Sequence, residues 1–162
     1  MLKRHKGSFV LKKDLSKRWT FTFITVVYIL FIFHNSMSSG PQSSSQSLFV
    51  MSLLNHVLTF FQMPGAFSEY FVRKSGHFVE FFVFGLLLTA TVRAYRCYKR
   101  ESLFAILFFL LLVAVCDEFI QAFIPLRGSS VTDVLLDFGS GIISTLLYRF
   151  VSWLRNRNCK GS

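Results

Sequence analysis

Acidic side chains are rare in this sequence, and most of them lie inside apolar segments. The chain has 8 Asp and Glu residues among 162. Five of them fall within stretches long and apolar enough to cross a bilayer, namely Glu80, Asp117, Glu118, Asp133 and Asp137. Ionised carboxylates are costly in hydrocarbon, so they turn toward a partner or a watery cavity and are candidates for a functional site.

Helical spacing aligns these acids with other polar side chains, because residues three or four positions apart share a helix face. The pairs with this spacing are His77 with Glu80, Asp117 and Glu118 with Gln121, and Asp133 with Asp137. Cationic partners lie at the same predicted level, at Arg73, Lys74 and Arg127. We therefore predict one polar cluster that binds a ligand through Lys74, His77, Glu80, Asp117, Glu118, Gln121, Arg127, Asp133 and Asp137.

Several roles remain open for this cluster. The carboxylates could pair with Lys74 and Arg127 and hold the helices in register, or they could bind a ligand. An enzyme would use Glu80 or Glu118 as general base and His77 as acid or ligand, although no sequence element specifies a reaction. Asp, Glu and one His could hold a hard cation, but no compact ligand spacing demands one, so we expect neither a metal nor a cofactor. Proton relay or transport is the remaining alternative.

The composition is typical of a membrane protein. Hydrophobic residues make up 52% and charged residues 16% of the chain, whereas a soluble domain carries about a quarter charged residues. The formal net charge is +10, but no soluble basic face is visible, so we expect the lipid bilayer and not nucleic acid as a partner. The 3 cysteines have no paired or ligand-like spacing, which argues against a disulfide framework or a zinc finger.

Four segments are long enough to cross a bilayer core of roughly 30 Å as helices. They are residues 19–36, 77–95, 103–124 and 131–153. A fifth segment, 48–63, carries polar residues along one stripe, at Ser52, Asn55, His56, Thr59 and Gln62. That pattern is typical of an amphipathic interfacial helix. We predict an all-α polytopic transmembrane bundle with four spans and one interfacial helix.

The distribution of Lys and Arg predicts the orientation, because cytoplasmic loops are enriched in these residues. Of the 18, seven precede the first span, four lie at or beside the turn between the second and third spans, and four lie at or beyond the C-terminal end of the last span. Only Arg73, Lys74 and Arg127 fall on the opposite side. Both termini are therefore predicted to be cytoplasmic, and the polar cluster then opens toward the outer face. Counting segment 48–63 as a span would remove almost all of this bias.

The predicted units are a basic cytoplasmic arm at 1–18, a transmembrane domain at 19–154 and a basic C-terminal tail at 155–162. A cleaved signal peptide is the rival interpretation of the first apolar segment, but that segment is long for one and no Ala-x-Ala site follows it. The serine-rich stretch 36–47 is predicted to be an extracytoplasmic loop with a turn at Gly40-Pro41.

Small residues recur along the fourth predicted span and occur once in the second. They are Gly85, Gly139, Ser140, Gly141 and Ser144. Small side chains let helix backbones approach closely in membranes, so we expect a close helix–helix contact here. Ser130 or Thr132 is expected to cap the start of the fourth span.

Two stretches resemble the signatures of the VanZ-like family of membrane proteins. KSGHFVEFFVFGLLL at 74–88 resembles the first, and DEFIQAFIPLRGSSVTDVLLDFGSGIIS at 117–144 resembles the second. FHNSMSSGPQSSSQS at 33–47 is similar to the serine-rich segment that follows the first span in that family. The chain departs from the family pattern at Phe81 (often tyrosine), Leu126 (usually glycine), Ser140 and Ser144 (commonly glycine).

The resemblance implies a multi-pass protein of the bacterial cell membrane. Some family members are associated with low-level resistance to teicoplanin-type glycopeptide antibiotics. The resemblance therefore suggests a cell-envelope protein whose outer-facing cluster engages an envelope precursor or a related ligand and contributes to such resistance. The alternatives are a membrane-embedded hydrolase or transferase acting on a lipid-linked headgroup, and a non-catalytic scaffold or small transporter. Nothing in the sequence specifies the oligomeric state.

Overall fold

The computed structural model describes residues 2–60, 67–95 and 100–158, and its regular structure in these ranges is entirely helical. The helices are α1 (Leu2–Ser36), α2 (Gly40–Phe60), α3 (Glu69–Ala94), α4 (Arg100–Ala122) and α5 (Val131–Asn158). Stretches long and apolar enough to cross a membrane are Leu15–Ser36, Glu69–Ala94, Ser102–Ala122 and Val131–Arg157. This confirms the predicted all-α bundle of four span-length helices with one further helix, α2. The inside–outside orientation stays a prediction.

α2 begins earlier than the sequence predicted. It starts at Gly40 and takes in most of the serine-rich stretch, so the predicted loop shrinks to residues 37–39. Pro41 is compatible with this start, because the backbone nitrogens in the first turn of a helix need no intrahelical acceptor. Gln62 and Met63, at the end of the predicted interfacial segment, lie outside the described residues.

α1 and α3 also extend beyond the predicted spans. α1 is one continuous helix from Leu2, so the predicted basic arm joins the first span without a break. α3 starts at Glu69 and is capped by Ser68, whose hydroxyl accepts a hydrogen bond from the Phe71 N–H at 3.2 Å. His77 therefore lies in the third turn of α3 and not at the start of a helix.

α3 lies at the centre of the bundle and packs against the other four helices. The buried core is formed by Ile32, Phe81, Phe84, Leu88, Ile106, Leu110, Val113 and Ala114. Phe81 and Phe84 meet edge to face, with ring centroids 6.2 Å apart. Many large apolar side chains, such as Phe23, Phe104 and Phe108, are exposed on the outside of the bundle, as expected for helices that face lipid.

α3 and α5 approach each other closely at Gly85. A Cβ atom at this position would lie 2.6 Å from the carbonyl oxygen of Gly141 and would overlap the Ser144 hydroxyl. A Cβ on Gly141 would in turn lie 2.6 Å from Cδ2 of Leu110 in α4. The position of a Cβ on Gly139 has nothing within 4 Å. The predicted small-residue contact is therefore confirmed at Gly85, Gly141 and Ser144, whereas Gly139 takes no part in it.

The course of the chain brings four helix ends together. α1 and α4 end at the side of the bundle where α3 and α5 begin, as the contacts of Ser36 with Asp117 and of Lys74 with Asp133 show. At the opposite side, the Tyr95 hydroxyl lies 3.0 Å from the Thr22 hydroxyl. All residues of the predicted cluster belong to the first of these two sides.

Candidate functional site

Arg127 ties the end of α1 to the loop between α4 and α5. Its Nη1 donates to the carbonyl oxygens of Asn35, Ser36 and Ser38 at 3.0, 3.2 and 3.1 Å, and its Nε donates to Gln121 Oε1 at 3.1 Å. These carbonyls lie at and just beyond the C-terminal end of α1, where acceptors lack helical partners and a cation is favoured. Burial lowers the pKa of Arg127 and nearby carboxylates oppose that effect, so the guanidinium stays charged.

The residue before Arg127 has an unusual backbone conformation. Leu126 has a φ of 61°, in the left-handed region that favours glycine. Its side chain is 87% exposed, so burial does not offset the strain. The glycine that is usual here in the VanZ-like pattern would adopt this conformation without strain.

Asp117 joins the C-terminal ends of α1 and α4 through hydrogen bonds. Its Oδ1 accepts a hydrogen bond from the Ser36 hydroxyl, and its Oδ2 accepts one from Gln121 Nε2 at 2.7 Å. Gln121 accepts from Arg127, which donates back to the Ser36 carbonyl. The four residues thus form a closed hydrogen-bonded ring, and such a network holds the ends of α1 and α4 in one relative position.

Two further carboxylates have partners across the bundle. Glu118 Oε2 accepts a hydrogen bond from the Ser130 N–H at 2.8 Å, and Lys74 forms an ion pair with Asp133 that joins α3 to α5. Ser130 also caps α5, as the sequence predicted, because its hydroxyl accepts from the Thr132 N–H at 3.2 Å. These contacts are those expected if the acids hold the helices in register.

His77 and Asp137 are buried side by side without hydrogen bonds from their facing atoms. His77 Nδ1 lies 3.7 Å from Asp137 Oδ1, which is beyond hydrogen-bond distance. Neither that nitrogen nor either carboxylate oxygen of Asp137 has a hydrogen-bond partner within the described part of the chain. One possible ligand atom from each of His77, Asp117 and Asp137 lies within 4.8 Å of the other two. These three residues could hold a metal ion.

A groove opens beside the cluster, between α1, α2 and α3, with a cavity volume of about 540 Å³. Its polar part is lined by Asn35, Arg73, His77, Glu80 and Arg127. Its apolar wall is lined by Tyr28, Phe31, Val50, Leu54, Phe71 and Val79. Glu80 also joins α3 to α1, because its Oε1 accepts from Asn35 Nδ2 at 3.0 Å. The size and mixed lining suit an amphiphilic ligand.

The structure brings the nine predicted ligand-binding residues to one end of the bundle, but it divides them into two groups. His77, Glu80 and Arg127 line the groove. The other six do not line it: Lys74, Asp117, Glu118, Gln121, Asp133 and Asp137. Of the catalytic candidates, Glu80 and His77 therefore face the groove, whereas Glu118 does not.

Sequence reasoning missed the part of the groove that α1 and α2 provide. The missed lining residues are Asn35, Ser36, Ser43, Gln46 and Ser47. The polar residues that directly follow the first apolar span could have indicated this lining. The sequence predicts a loop at 36–47 and places Asn35 in the first span, and a loop has no face to present to a groove.

Comparison with known proteins agrees with this architecture. A family model described as VanZ/LLP1 matches residues 20–152, which include every residue of the cluster and the groove. No curated protein and no solved structure shows significant similarity to the chain. With a family match over most of its length and four span-length helices, the chain belongs to the VanZ/LLP1 family and is a VanZ-like membrane protein.

Proposed function

We propose that the protein binds an anionic amphiphile at the outer leaflet of the bacterial cell membrane, with a lipid-linked cell-envelope precursor as the expected ligand class. The observation that carries this proposal is the groove of about 540 Å³, in which charged side chains adjoin an apolar wall. A wholly polar ligand would leave the wall without contacts, and a wholly apolar ligand would make no polar interaction with the charged groups.

Arg73 is the side chain best placed to bind the headgroup. It lines the groove, and among the described residues its hydrogen-bond partners are Glu69 Oε1 at 3.0 Å and the Ser44 hydroxyl at 3.3 Å. An exposed ion pair contributes little stability, so this guanidinium can turn to a phosphate or carboxylate at small cost. Arg127 donates its hydrogen bonds to Gln121 and to backbone carbonyls at the end of α1, so it contributes to binding mainly through its positive electrostatic potential.

α2 supplies the lipid-facing side of the groove. Val50 and Leu54 lie on its apolar wall. Asn55 holds α2 against the start of α3, because its Oδ1 accepts from the Phe67 N–H at 2.7 Å and its Nδ2 donates to the Phe67 carbonyl at 3.3 Å. An amphipathic helix held in this way leaves the groove open to a lipid chain that arrives from the bilayer.

The orientation and the family support an envelope ligand. The Lys and Arg distribution predicts that the groove faces outward, where lipid-linked precursors are used to build the envelope. The association of some VanZ-like proteins with teicoplanin-type resistance is consistent with such a ligand. The proposal therefore includes a contribution to glycopeptide resistance through the bound precursor.

Binding to the full-length protein in nanodiscs of neutral lipid tests the proposal, with fluorescent undecaprenyl pyrophosphate as the probe and undecaprenol as an uncharged competitor. We expect undecaprenol to compete at least tenfold more weakly than unlabelled undecaprenyl pyrophosphate. Arg73→Gln should weaken binding of the probe about tenfold, which is about 1.4 kcal/mol. Arg155→Gln, an equal charge change on an exposed residue at the other end of α5, should leave it unchanged.

Two outcomes would contradict the proposal. Equal competition by undecaprenol would show that the headgroup is not recognised. An equal loss of probe affinity in Arg155→Gln would show that the loss in Arg73→Gln comes from the overall charge of the protein. The resistance part has its own test, which is teicoplanin susceptibility of one bacterial host carrying the wild type or Arg73→Gln at equal abundance. Equal susceptibility would refute a contribution to resistance through the bound precursor and would leave ligand binding standing.

A second candidate function, hydrolysis or transfer at the headgroup, is favoured by the position of Glu80 and His77 on the groove. Glu80 would serve as general base that takes a proton from water as the water attacks the terminal phosphorus of a pyrophosphate headgroup, and the phosphoanhydride bond would break to release phosphate. Phosphate release from undecaprenyl pyrophosphate by the purified protein, lost in Glu80→Gln and kept in Arg155→Gln, would establish this activity. Binding without release would leave the protein a ligand-binding membrane protein.

A further inference from the structure

We propose that His77, Asp117 and Asp137 form a binding site for one divalent transition-metal ion, of the class that includes Zn²⁺. They come from α3, α4 and α5, and one possible ligand atom from each lies within 4.8 Å of the other two. The three residues are far apart in the chain and have no compact ligand spacing, so the sequence alone predicts no metal site. Only the packing of three helices places them together.

The separation of His77 and Asp137 fits a shared ion better than a direct bond. Nδ1 and Oδ1 are 3.7 Å apart, too far for a hydrogen bond. A metal ion at about 2.1 Å from each atom spans that separation with an angle of roughly 125° at the metal, close to the tetrahedral value. The His77–Asp137 pair therefore needs little adjustment to hold an ion, and Asp117 lies near enough to complete the site after a small side-chain movement.

Asp137 gives an independent indication of a missing partner. Its side chain is fully buried, and neither carboxylate oxygen has a hydrogen bond from a described residue. Neighbouring hydroxyls do not supply one, because Ser140 donates to the Asp137 backbone carbonyl and Ser144 donates to the Gly141 carbonyl. Buried carboxylates are normally paired, hydrogen-bonded or bound to metal. A cation between Asp137 and His77 would satisfy both side chains.

Asp117 is already oriented by neighbours in the way that metal ligands usually are. The Ser36 hydroxyl and the Gln121 amide each donate to one of its oxygens. A carboxylate oxygen accepts more than one interaction, so these bonds leave a lone pair for a metal. Hydrogen bonds of this kind fix the direction of a ligand and are a regular feature of metal sites.

The charge of the cluster also favours a dication. Apart from the Arg73–Glu69 ion pair, the charged groups at this end of the bundle are the carboxylates Glu80, Asp117, Glu118, Asp133 and Asp137 and the cations Lys74 and Arg127. Ionised, the five acids exceed the two cations by three charges in an apolar setting, which is unfavourable. A divalent ion offsets two of these. The imidazole ligand selects the Zn²⁺ class over Mg²⁺ and Ca²⁺, which prefer oxygen alone.

The site lies next to the groove but does not depend on the proposed ligand. His77 lines the groove as well as the metal site, so a bound ion would lie at the inner wall of the groove. Arg73, which carries the headgroup prediction, is not among the three ligands. Metal binding is therefore measured on protein without lipid ligand, and its failure would not affect the test of headgroup binding.

The test uses the full-length protein, stripped of metal with a chelator in detergent and titrated with Co²⁺ as a spectroscopic probe and with Zn²⁺ as competitor. We expect one ion per chain, visible as cobalt absorption bands of a site with nitrogen and oxygen ligands that Zn²⁺ abolishes. His77→Ala and Asp137→Asn should each weaken binding at least tenfold. His34→Ala and Glu69→Gln, which make similar changes at exposed or partly exposed positions, should not.

X-ray absorption by the unmodified Zn²⁺-loaded protein keeps the proposal falsifiable if the Asp137 variant fails to fold. One nitrogen and at least two oxygens at about 2.0–2.2 Å are expected. Stoichiometry well below one ion per chain, binding unchanged in His77→Ala, or a ligand shell without nitrogen would each overturn the site.

Discussion

Replacing Arg127 with glutamine should destabilise the bundle, because it removes the donors that join α1 to the α4–α5 loop. Nε and Nη1 reach Gln121 Oε1 and three backbone carbonyls at the end of α1 and in the turn after it, at 3.0–3.2 Å. The three carbonyl acceptors share the two hydrogens of Nη1, so together they amount to about two hydrogen bonds, in addition to the one from Nε. A hydrogen bond with a charged partner contributes about 1.5–3 kcal/mol, and contributions are not additive. We expect the free energy of unfolding to fall by about 3–5 kcal/mol.

Arg73→Gln is the matched control at the same end of the bundle. It makes the same charge change, but the ion pair of Arg73 with Glu69 has side chains 41% and 34% exposed. Exposed pairs contribute about 0–1 kcal/mol. The lower end of the range for Arg127→Gln exceeds the upper end for Arg73→Gln by about 2 kcal/mol. The free energy of unfolding should therefore fall by at least about 2 kcal/mol more in Arg127→Gln than in Arg73→Gln. Arg127→Lys should fall between them, because one ammonium cannot reach both Gln121 and α1.

The assay is unfolding of the full chain in dodecylmaltoside micelles by added SDS, followed by circular dichroism. Equal losses in Arg127→Gln and Arg73→Gln would refute the structural role of Arg127. Arg127→Gln that kept its stability but lost the undecaprenyl pyrophosphate probe would make Arg127 a ligand-binding residue instead. We expect the reverse pattern, in which Arg127→Gln lowers the free energy of unfolding and Arg73→Gln lowers the affinity for the probe.

The same unfolding assay checks two further predictions. Gly85→Ala should lower the free energy of unfolding by about 1–3 kcal/mol, because its Cβ would lie 2.6 Å from the Gly141 carbonyl oxygen. Gly139→Ala has open space around it, so it should raise the free energy of unfolding by up to about 1 kcal/mol through helix propensity. Equal effects at the two glycines would argue against the close approach of α3 and α5. Leu126→Gly should raise the free energy of unfolding by about 0.5–1 kcal/mol, since it relieves left-handed strain at an exposed residue; a loss of stability would contradict that account.

Hydropathy and helical spacing were sufficient to predict the four spans and the faces on which the acids lie. A helix in lipid must satisfy its backbone hydrogen bonds internally, so a long apolar segment has few alternatives. The start of α2 was not predictable in this way. Serine, glycine and proline suit both a loop and the first turn of a helix, and contacts such as that of Asn55 with Phe67 are invisible in the local pattern.

The sequence by itself determined that Asp117 and Asp137 lie on inward helix faces near one end of the bundle, because helical periodicity sets the face of each residue. Only the tertiary structure decided their different surroundings. Asp117 meets Ser36 and Gln121, while Asp137 meets His77 and no hydrogen-bond donor among the described residues. The register between helices depends on many weak packing contacts between residues distant in the chain, and no local pattern encodes their sum.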